Sequence, residues 1–262
     1  MRLDLYLFEH GFTGSRESAK RLIEEGLVTV DGHVVTKPSK DVTGEPTISV
    51  TEKKYVGRGG EKLEAALSLF GIDVEGLRAL DIGASTGGFT DCLLQQGALH
   101  VVALDAGTGQ LHPRLLADSR VTNIEKYNAR TLERCDVGEA DIVVMDVSFI
   151  SQTYILPRIP AVLAPDGVAI TLIKPQFEAG RDALNKQGVV RAPKDRIRAT
   201  LRVLDAAVLA GLAPVGLAPS PILGGDGNEE YLACFIKKEN PSVLSPAVVE
   251  NTVKNKAVTR LI

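Results

Sequence analysis

"LDIGASTGGFTD" (80–91) begins as an apolar strand, turns through glycines and continues as the start of a helix. Gly83, Gly87 and Gly88 let the backbone approach a ligand closely. A helix N-terminus that follows such a turn favours negative groups through its dipole and its free N–H groups. The glycine spacing differs from the dinucleotide motif G-x-G-x-x-G, and the GKS or GKT ending of a P-loop is absent. The stretch therefore predicts a cofactor site of another kind.

Two acidic residues support a cofactor site at this turn. Asp81 lies at the end of the first apolar strand, just before the turn, and Asp105 ends the next apolar run, "HVVALD". In α/β proteins an acid at the end of the second strand binds a ribose diol. Glycines at a strand–helix turn often have only a structural role, in allowing the chain to turn. The two acidic residues together favour a cofactor site.

Apolar strands alternate with helical segments from about residue 78 onward. Helices are expected at about 88–97, 111–117, 150–162 and 195–210. The strands are expected at "RALDIG", "HVVALD", "VTNIE", "ADIVVMD", "GVAITLIK", "PVGLAPS" and "EYLACFIK". This alternation predicts an α/β, Rossmann-like fold with a mostly parallel seven-stranded sheet and helices on both faces. Ligands of such sheets bind beyond the carboxyl ends of the strands.

Four charged residues stand at or near that edge. Asp146 ends "DIVVMD", and Lys174 ends "AITLIK" just before Pro175, which cannot donate to a strand ladder. Lys62 opens the helix before the first strand, and Glu230 begins the last strand. Each residue alone is more often a solvated end residue. Because Asp146 and Lys174 end strands of one sheet, we interpret them as functional, since a lysine near carboxylates can orient or deprotonate a hydroxyl.

The N-terminal part, 1–50, predicts a separate small α+β domain. Its pattern indicates a short helix ending at Gly11 and a second helix capped by Ser15. A DG pair, Asp31-Gly32, between apolar residues predicts a hairpin, and "PTISV" predicts a further strand. A polar, glycine-rich linker is expected at 51–61, and the tail 239–262 is expected to fold back as a helix or to stay mobile.

Basic residues of the N-terminal domain are candidates for contacts with RNA phosphates. Residues 1–60 contain equal numbers of basic and acidic residues, so RNA binding would depend on where the basic residues lie and not on the net charge. Arg16, Lys20 and Arg21 share a helix face at positions i, i+4 and i+5, and Lys37 and Lys40 follow the hairpin. The alternative is a solvated face balanced by nearby glutamates. Such a cluster can contact phosphates across an RNA surface.

Composition limits the possible classes of protein. The chain has 262 residues, 44% of them hydrophobic, and a net charge of −3. These values fit a folded protein and indicate that any RNA contact is local. No apolar run of about 18 residues predicts a membrane span, and the N-terminus is not a secretory signal. The three cysteines lie far apart, so we expect no disulfide framework, no metal site and a cytoplasmic location.

Several stretches, taken in order, resemble the TlyA/hemolysin A family of ribosomal RNA methyltransferases. The resemblance covers residues 1 to about 238 and rests on these motifs: "MRLDLYLFEHGFTGSRESAKRLIEEGLVTVDG", "YVGRGGEKLEAAL", "LDIGASTGGFTDCLLQQGA", "MDVSFIS", "LIKPQFEAGR", "QGVVR" and "GNEEYL". It implies an RNA-binding module of the ribosomal-protein type, an α-L domain, joined to an FtsJ-like methyltransferase domain at 62–238. It also implies S-adenosylmethionine as cofactor and 2′-O-methylation of cytidine in ribosomal RNA.

The resemblance assigns roles to individual residues. The family's Lys-Asp-Lys-Glu tetrad falls on Lys62, Asp146, Lys174 and Glu230, with Glu229 as the alternative for the last. The cofactor-binding set is Asp81, Gly83, Ser85, Thr86, Gly87, Gly88 and Asp105. The RNA-binding set is Arg16, Lys20, Arg21, Lys37, Lys40 and Arg58.

The sequence also departs from the family pattern in "DAGTGQLHP". Relatives often read "VGYGQL" with an aromatic residue shortly after, whereas this chain has Thr108 and Pro113. The expected partners are ribosomal RNA or ribosomal subunits, with no membrane partner and no metal, and the protein is expected to be a monomer or weak dimer. Two other functions stay open from the residues alone. One is an RNA-binding assembly factor with a vestigial cofactor fold, and the other is a nucleotide-dependent oxidoreductase, which the glycine spacing disfavours.

Overall fold

The computed structural model describes residues 1–24, 26–51 and 53–261 and divides the chain into two units, Met1–Lys54 and Tyr55–Ile262. The first unit contains two helices and three strands: α1 (Leu3–Glu9), α2 (Arg16–Glu24), β1 (Val28–Val30), β2 (His33–Val34) and β3 (Ile48–Val50). The strands form one antiparallel sheet in the order β2-β1-β3. Asp31 and Gly32 both have positive φ and connect β1 to β2, so the predicted hairpin is confirmed.

The core of the first unit forms where the apolar faces of α1 and α2 meet the sheet. Leu3 and Leu7 of α1 are fully buried, as are Ala19 and Ile23 of α2. Both helix pairs are four residues apart, so each pair faces one side of its helix. The two faces pack against buried valines of the sheet and its loops: Val28, Val30, Val35 and Val42.

One carboxylate lies inside this small unit. Asp4 is fully buried, and its two oxygens accept hydrogen bonds from Nε of Arg2 at 2.9 Å and Nε of Arg16 at 3.0 Å. The hydrogen bond from Arg2 is the main reason that the pKa of Asp4 is lowered to about 2, although burial acts in the opposite direction. Both arginines are 45% exposed, so losing Asp4 would cost mainly its charge-assisted hydrogen bonds.

We predict that Asp4→Asn lowers the stability of the first unit by about 1–3 kcal/mol, since Asn loses the charge-assisted bonds from two arginines. The pKa of Asp4 is lower in the folded state, so its stabilising contribution is present above pH 4 and is lost as the pH falls towards 2. Hydrogen–deuterium exchange of the α1 and α2 amides measures both effects. Glu17→Gln, an exposed change on α2, is the matched control; equal protection in the two variants would contradict the prediction.

The second unit is built on one eight-stranded sheet. Its strands are β4 (Arg78–Ile82), β5 (His100–Leu104), β6 (Val121–Ile124), β7 (Ala140–Met145), β8 (Leu163–Ile173), β9 (Leu212–Pro219), β10 (Tyr231–Lys237) and β11 (Thr259–Arg260). Their order is β11-β9-β10-β8-β7-β4-β5-β6. The five strands β4 to β8 pair in parallel, whereas β10 runs antiparallel to its neighbours β8 and β9. The mostly parallel sheet of seven strands is confirmed, and the tail adds β11.

Helices cover both faces of this sheet. They are α3 (Gly59–Phe70), α4 (Gly88–Gln95), α5 (Pro113–Leu116), α6 (Arg134–Val137), α7 (Ile159–Val162), α8 (Pro175–Glu178), α9 (Pro193–Leu209) and α10 (Pro246–Asn255). Two separate apolar cores result, one with α3 and α4 and the other with α9 and α10. The helical segment predicted at 150–162 is confirmed but broken: two 3₁₀ turns precede the short α7, because Pro157 and Pro160 each lack an N–H donor.

The second unit begins earlier than the sequence pattern indicates. Tyr55, inside the linker predicted at 51–61, is 3% exposed and belongs to the core around α3 and α4. A Cβ atom on Gly60 would overlap the Tyr55 ring, so this close approach needs a glycine. Glu52 lies outside the described residues. Helix α3 begins at Gly59, inside the predicted linker, and carries Lys62 in its first turn.

The tail returns to the sheet instead of leaving it. The Ser245 side chain caps α10 by accepting from the Val248 N–H, and Val249 and Val253 are buried in the core beside α9. After α10, Thr259 pairs with Leu217 on the edge strand β9. In the part of the chain that the structure describes, no helix is long and apolar enough to cross a membrane.

Candidate active site

Three residues of the glycine turn after β4 have positive φ, namely Gly83, Ser85 and Gly87, and two of them are glycines. Gly83 has φ +87°, and a Cβ atom there would lie 2.8 Å from the main-chain oxygen of Asp146. Gly87 has φ +94°, and a Cβ atom there would overlap the Leu115 side chain. Each position thus excludes larger residues by conformation and by space. The turn leads directly into α4, whose first residue is Gly88.

Asp105 reaches the same turn from the end of the neighbouring strand β5. Its carboxylate accepts the N–H of Ser85 at 2.8 Å and the N–H of Gly107 at 2.6 Å. Each oxygen keeps a lone pair for another donor. Asp105 also lines a cavity of about 650 Å³, the larger cavity, together with Gly83, Ser85 and the segments 126–130 and 146–150. That size suits a ligand of nucleoside dimensions.

Asp81 lies beneath the turn and is fully buried. Burial is the main reason that its pKa is raised to about 7, while the hydrogen bond from Thr90 Oγ1 at 2.7 Å partly opposes that shift. Its Oδ1 atom has no hydrogen-bond partner in the part of the chain that the structure describes. Asp81 does not line the larger cavity, so it lies behind the turn, where it accepts a hydrogen bond from Thr90 of α4.

The four tetrad candidates come together as two ion pairs. Lys62 Nζ of α3 lies 2.5 Å from Oε2 of Glu230, and Lys174 Nζ lies 2.7 Å from Oδ1 of Asp146. They line a second cavity of about 270 Å³, the smaller cavity. Residues from α3 and from the ends of β7, β8 and β10 thus converge, although they are far apart in the chain.

The two cavities adjoin each other. Gly83, Ser85, Asp146 and Ser148 line both of them. Thr86 and Gly88 line only the smaller cavity. Gly87 lines neither cavity, and its positive φ allows the turn to form. A ligand in the larger cavity and a group in the smaller one would therefore meet beside Asp146.

Lys174 is only 9% exposed although it follows an apolar strand. Its ammonium group is compensated by Asp146 and by a hydrogen bond that it donates to Ser148 Oγ at 2.7 Å. Pro175 then starts α8, where the missing N–H has no cost. Burial of this lysine is therefore sustained by two partners at the end of the neighbouring strand β7.

The structure distinguishes Glu230 from its neighbour Glu229. Glu230 is almost fully buried and accepts from Gln176 Nε2 at 3.0 Å in addition to Lys62. Glu229 instead pairs with Arg196 at 3.3 Å and with Lys256. The geometry places Glu230, and not Glu229, in the smaller cavity.

Sequence reasoning missed three residues of this site. Ser148 and Gln176 hydrogen-bond tetrad members, and Phe149 is 92% exposed with φ +63° beside the Phe177 ring. All three lie within "MDVSF" and "LIKPQF", so the motif stretches themselves held the signal. A bulky residue at positive φ is strained and often marks a functional segment.

The predicted RNA-binding residues divide between the units. In the first unit Arg21, Lys37 and Lys40 are exposed and Lys20 is half-buried. Arg16 is 45% exposed and holds Asp4, so part of its role is structural. Arg58 belongs to the second unit, where it lines the smaller cavity.

The two residues that depart from the family pattern have local partners. Thr108 donates to the Glu125 carboxylate at 2.7 Å, and Pro113 starts α5 behind the capping residue His112. Among the described residues, no cluster of three His, Cys, Asp or Glu side chains could hold a metal ion.

The fold of the second unit resembles that of an S-adenosylmethionine dependent methyltransferase from Listeria monocytogenes (TM-score 0.53, 14% identity), and its sequence defines it as an FtsJ-like methyltransferase domain. The FtsJ-like methyltransferase family matches residues 55–237, and the S4 domain family matches residues 1–48. The chain belongs to the TlyA/hemolysin A family, as the motifs of the sequence predict.

Individual relatives agree along most of their length. Hemolysin A from Brachyspira hyodysenteriae is 44% identical over 90% of this chain and all of that protein. The 16S/23S rRNA (cytidine-2'-O)-methyltransferase TlyA from Mycobacterium tuberculosis is 41% identical over 96% of this chain and 95% of that protein. A solved structure from Streptococcus thermophilus, of a protein described as a hemolysin, superposes with a TM-score of 0.78 at 39% identity, covering 98% of this chain and 95% of that one.

We predict that Asp81 makes stability depend on pH between about 4 and 7. The pKa of Asp81 is higher in the folded state than its ordinary value of 3.8, so its contribution is full below pH 4 and is lost as the pH rises through 7. Asp81→Asn should therefore remove a loss of about 2–3 kcal/mol between pH 5 and pH 8. Denaturant unfolding of both proteins without ligand measures this difference. Asp205→Asn, an exposed change on α9, is the control; parallel pH curves for wild type and Asp81→Asn would contradict the prediction.

Proposed function

We propose that the protein is an S-adenosylmethionine-dependent ribose 2′-O-methyltransferase that acts on cytidine in ribosomal RNA. The observation that carries this proposal is the junction of the two cavities, with Lys174 and its partners on one side and the glycine turn on the other. The name of the Mycobacterium tuberculosis relative supplies the nucleotide and the RNA class. Since its substrate would be ribosomal, we place its action in the cytosol.

The residues present fit this cofactor in the larger cavity. Asp105 has free lone pairs for a ribose diol, and Gly83 and Ser85 line the same cavity. Asp81 lines neither cavity and would act from behind the glycine turn, through its hydrogen bond with Thr90. When bound, S-adenosylmethionine supplies a methyl group activated by its sulfonium charge.

Lys174 is the residue that handles the target hydroxyl. A ribose hydroxyl is a poor nucleophile when neutral, so catalysis requires that it be oriented and that its proton be removed as the new bond forms. Lys174, held by Asp146 and Ser148, reaches the smaller cavity at the side shared with the larger one. It would hydrogen-bond the 2′-oxygen and stabilise the negative charge that develops there. As the O–CH3 bond forms and the S–CH3 bond breaks, the hydroxyl proton would pass to solvent water and the demethylated thioether would be the leaving group.

Lys62 and Glu230 frame the opposite side of the smaller cavity. Their ion pair, supported by Gln176, keeps both charges in place. Exposed Phe149 beside Phe177 offers a flat face on which a base taken out of its stack could rest. The S4 unit would contribute phosphate contacts through Lys20, Arg21, Lys37 and Lys40, with Arg58 acting near the reacting ribose.

The direct test is transfer of a labelled methyl group from S-adenosylmethionine to isolated ribosomal subunits, followed by mapping of ribose methylation. Methylation of a cytidine 2′-oxygen is expected. Tight cofactor binding by calorimetry without any transfer would instead favour an assembly factor with a vestigial site.

Lys174→Ala should keep cofactor affinity within a few-fold and lower methyl transfer by at least about 100-fold, because the hydroxyl loses its positioned partner. Calorimetry and initial rates on subunits measure the two quantities. Lys254→Ala is the matched control, since Lys254 is an exposed lysine that pairs with Glu250 of the same helix, α10. Full transfer by Lys174→Ala would exclude this role.

The double change Lys37→Ala and Lys40→Ala should weaken binding to subunits by about tenfold and reduce the slope of log affinity against log salt by up to about 2, since each lysine is assigned one phosphate. Binding titrations at several salt concentrations measure this. The control removes two exposed lysines of the second unit, Lys238 and Lys254. An unchanged salt slope in the first variant would count against the assigned contacts.

A further inference from the structure

The second unit buries a carboxylate that the proposed mechanism does not use. Glu178, the last residue of α8, is 3% exposed. Its Oε2 accepts from Ser151 Oγ at 2.5 Å, and its Oε1 accepts from the main-chain N–H of Gln152 at 2.9 Å. Burial raises the pKa of the Glu178 carboxyl, while these two donors act to lower it. A carboxylate buried at this cost has a structural or functional task.

Both donors belong to the segment 146–152, here called the β7 loop, which follows β7. The same loop begins with Asp146 and Ser148, which hold Lys174. Lys174 immediately precedes α8 and Glu178 is its last residue, so the two are four residues, or about one helical turn, apart. The β7 loop is thus attached to α8 at two points. Lys174 binds Asp146 and Ser148 at the start of the loop, and Glu178 binds Ser151 and Gln152 at its end.

A strained residue lies between these two ends. Phe149 has φ +63°, and its ring centroid lies 5.2 Å from that of Phe177 on α8. A non-glycine residue in this conformation persists only when its surroundings hold it. The joined ends provide that restraint, because a loop of a few residues fixed at both ends has little remaining freedom.

Contacts with α9 and β8 hold Glu178 and its partner Gln152 in place. Arg202 of α9 donates to the main-chain oxygen of Glu178 at 3.1 Å. Gln152 also reaches β8, where its side chain donates to the Leu172 carbonyl oxygen at 3.3 Å. The attachment at Glu178 is therefore connected to the sheet and to the long helix α9, both rigid elements of the second unit.

We propose that Glu178 is a positioning residue for methyl transfer. By holding Ser151 and Gln152, its carboxylate fixes the β7 loop against α8, and this sets the contact between Asp146 and Lys174 and the direction of Phe149. Glu178 does not itself contact the reacting atoms. The role in transfer rests on the proposed function; the restraint on the loop does not.

The restraint is tested first, by hydrogen–deuterium exchange of the β7 loop in the full chain. Glu178→Ala should raise exchange of the Gln152 amide at least tenfold, because its acceptor is lost. Glu178→Gln should keep protection within about threefold, since its amide can accept from Gln152 and donate to Ser151. Val253→Ala, which removes buried methyl groups on α10, is the control for a general loss of stability and should leave the loop protected.

Methyl transfer to ribosomal subunits is the second measurement. Glu178→Ala should lower kcat by about 10- to 100-fold, since a displacement of about 1 Å in a reacting group has effects of this size. The KM for subunits should change less than about threefold, and Glu178→Gln should restore most of kcat. Ser151→Ala removes one of the two donors and should lower kcat by about three- to tenfold. In combination with Glu178→Ala it should add little, because both changes break the same attachment.

Three results would overturn the proposal: an unchanged loop exchange in Glu178→Ala, equal damage from Glu178→Gln and Glu178→Ala, or effects of Ser151→Ala and Glu178→Ala that multiply. If Glu178→Ala does not fold, Ser151→Ala and Glu178→Gln decide the question, with a normal kcat in Ser151→Ala as the contradicting outcome. If the wild type transfers no methyl group to subunits, the proposed function fails and Glu178 has no role in transfer, but the exchange experiment still decides whether Glu178 restrains the loop.

Discussion

The Gly83 main chain lies against the Asp146 main chain at the carboxyl ends of β4 and β7, close enough that a Cβ atom would fall 2.8 Å from a carbonyl oxygen. The parallel register of these strands, in which Ile82 is opposite Met145, produces this approach. Gly83 and Asp146 line both cavities, so this close approach lies where the two cavities adjoin. The placement of Asp105, Lys174 and the remaining polar groups follows from the strands on either side of this pair.

The charges of the smaller cavity also depend on that placement. Lys62, Lys174 and Glu230 are each less than one-tenth exposed, and burying such groups costs more free energy than their attraction returns unless every partner is well placed. A packed apolar cluster of similar volume would often be more stable. The ion pairs Lys62–Glu230 and Lys174–Asp146 are therefore better understood as a means of fixing two ammonium groups at defined points than as a source of stability.

Much of this arrangement could be predicted from the sequence, and the exceptions have physical causes. Apolar runs such as "ADIVVMD" identify buried strands, and parallel order then brings Asp146 and Lys174 to one edge. The breaks at Pro157 and Pro160 were readable, but the apolar spacing of 150–162 resembles a continuous helix. The contact of Tyr55 with Gly60 depends on tertiary packing, as does the choice between Glu229 and Glu230, which a pattern of adjacent acids does not resolve. Ser148 and Gln176 were hidden because single polar residues carry no periodic signal.

The two-residue strand β11 has a further consequence for how the molecule behaves towards its neighbours. Thr259 and Arg260 pair with Leu217 and Gly216 of β9, and the Leu261 N–H donates to the Val215 carbonyl oxygen. Strand β9 is otherwise the outer strand on that side of the sheet, and its residues are nearly all buried and apolar. An open edge of this composition is a template for sheet extension between molecules. Residues 259–261 therefore satisfy backbone groups of β9 that would otherwise stay unpaired along this edge of the sheet.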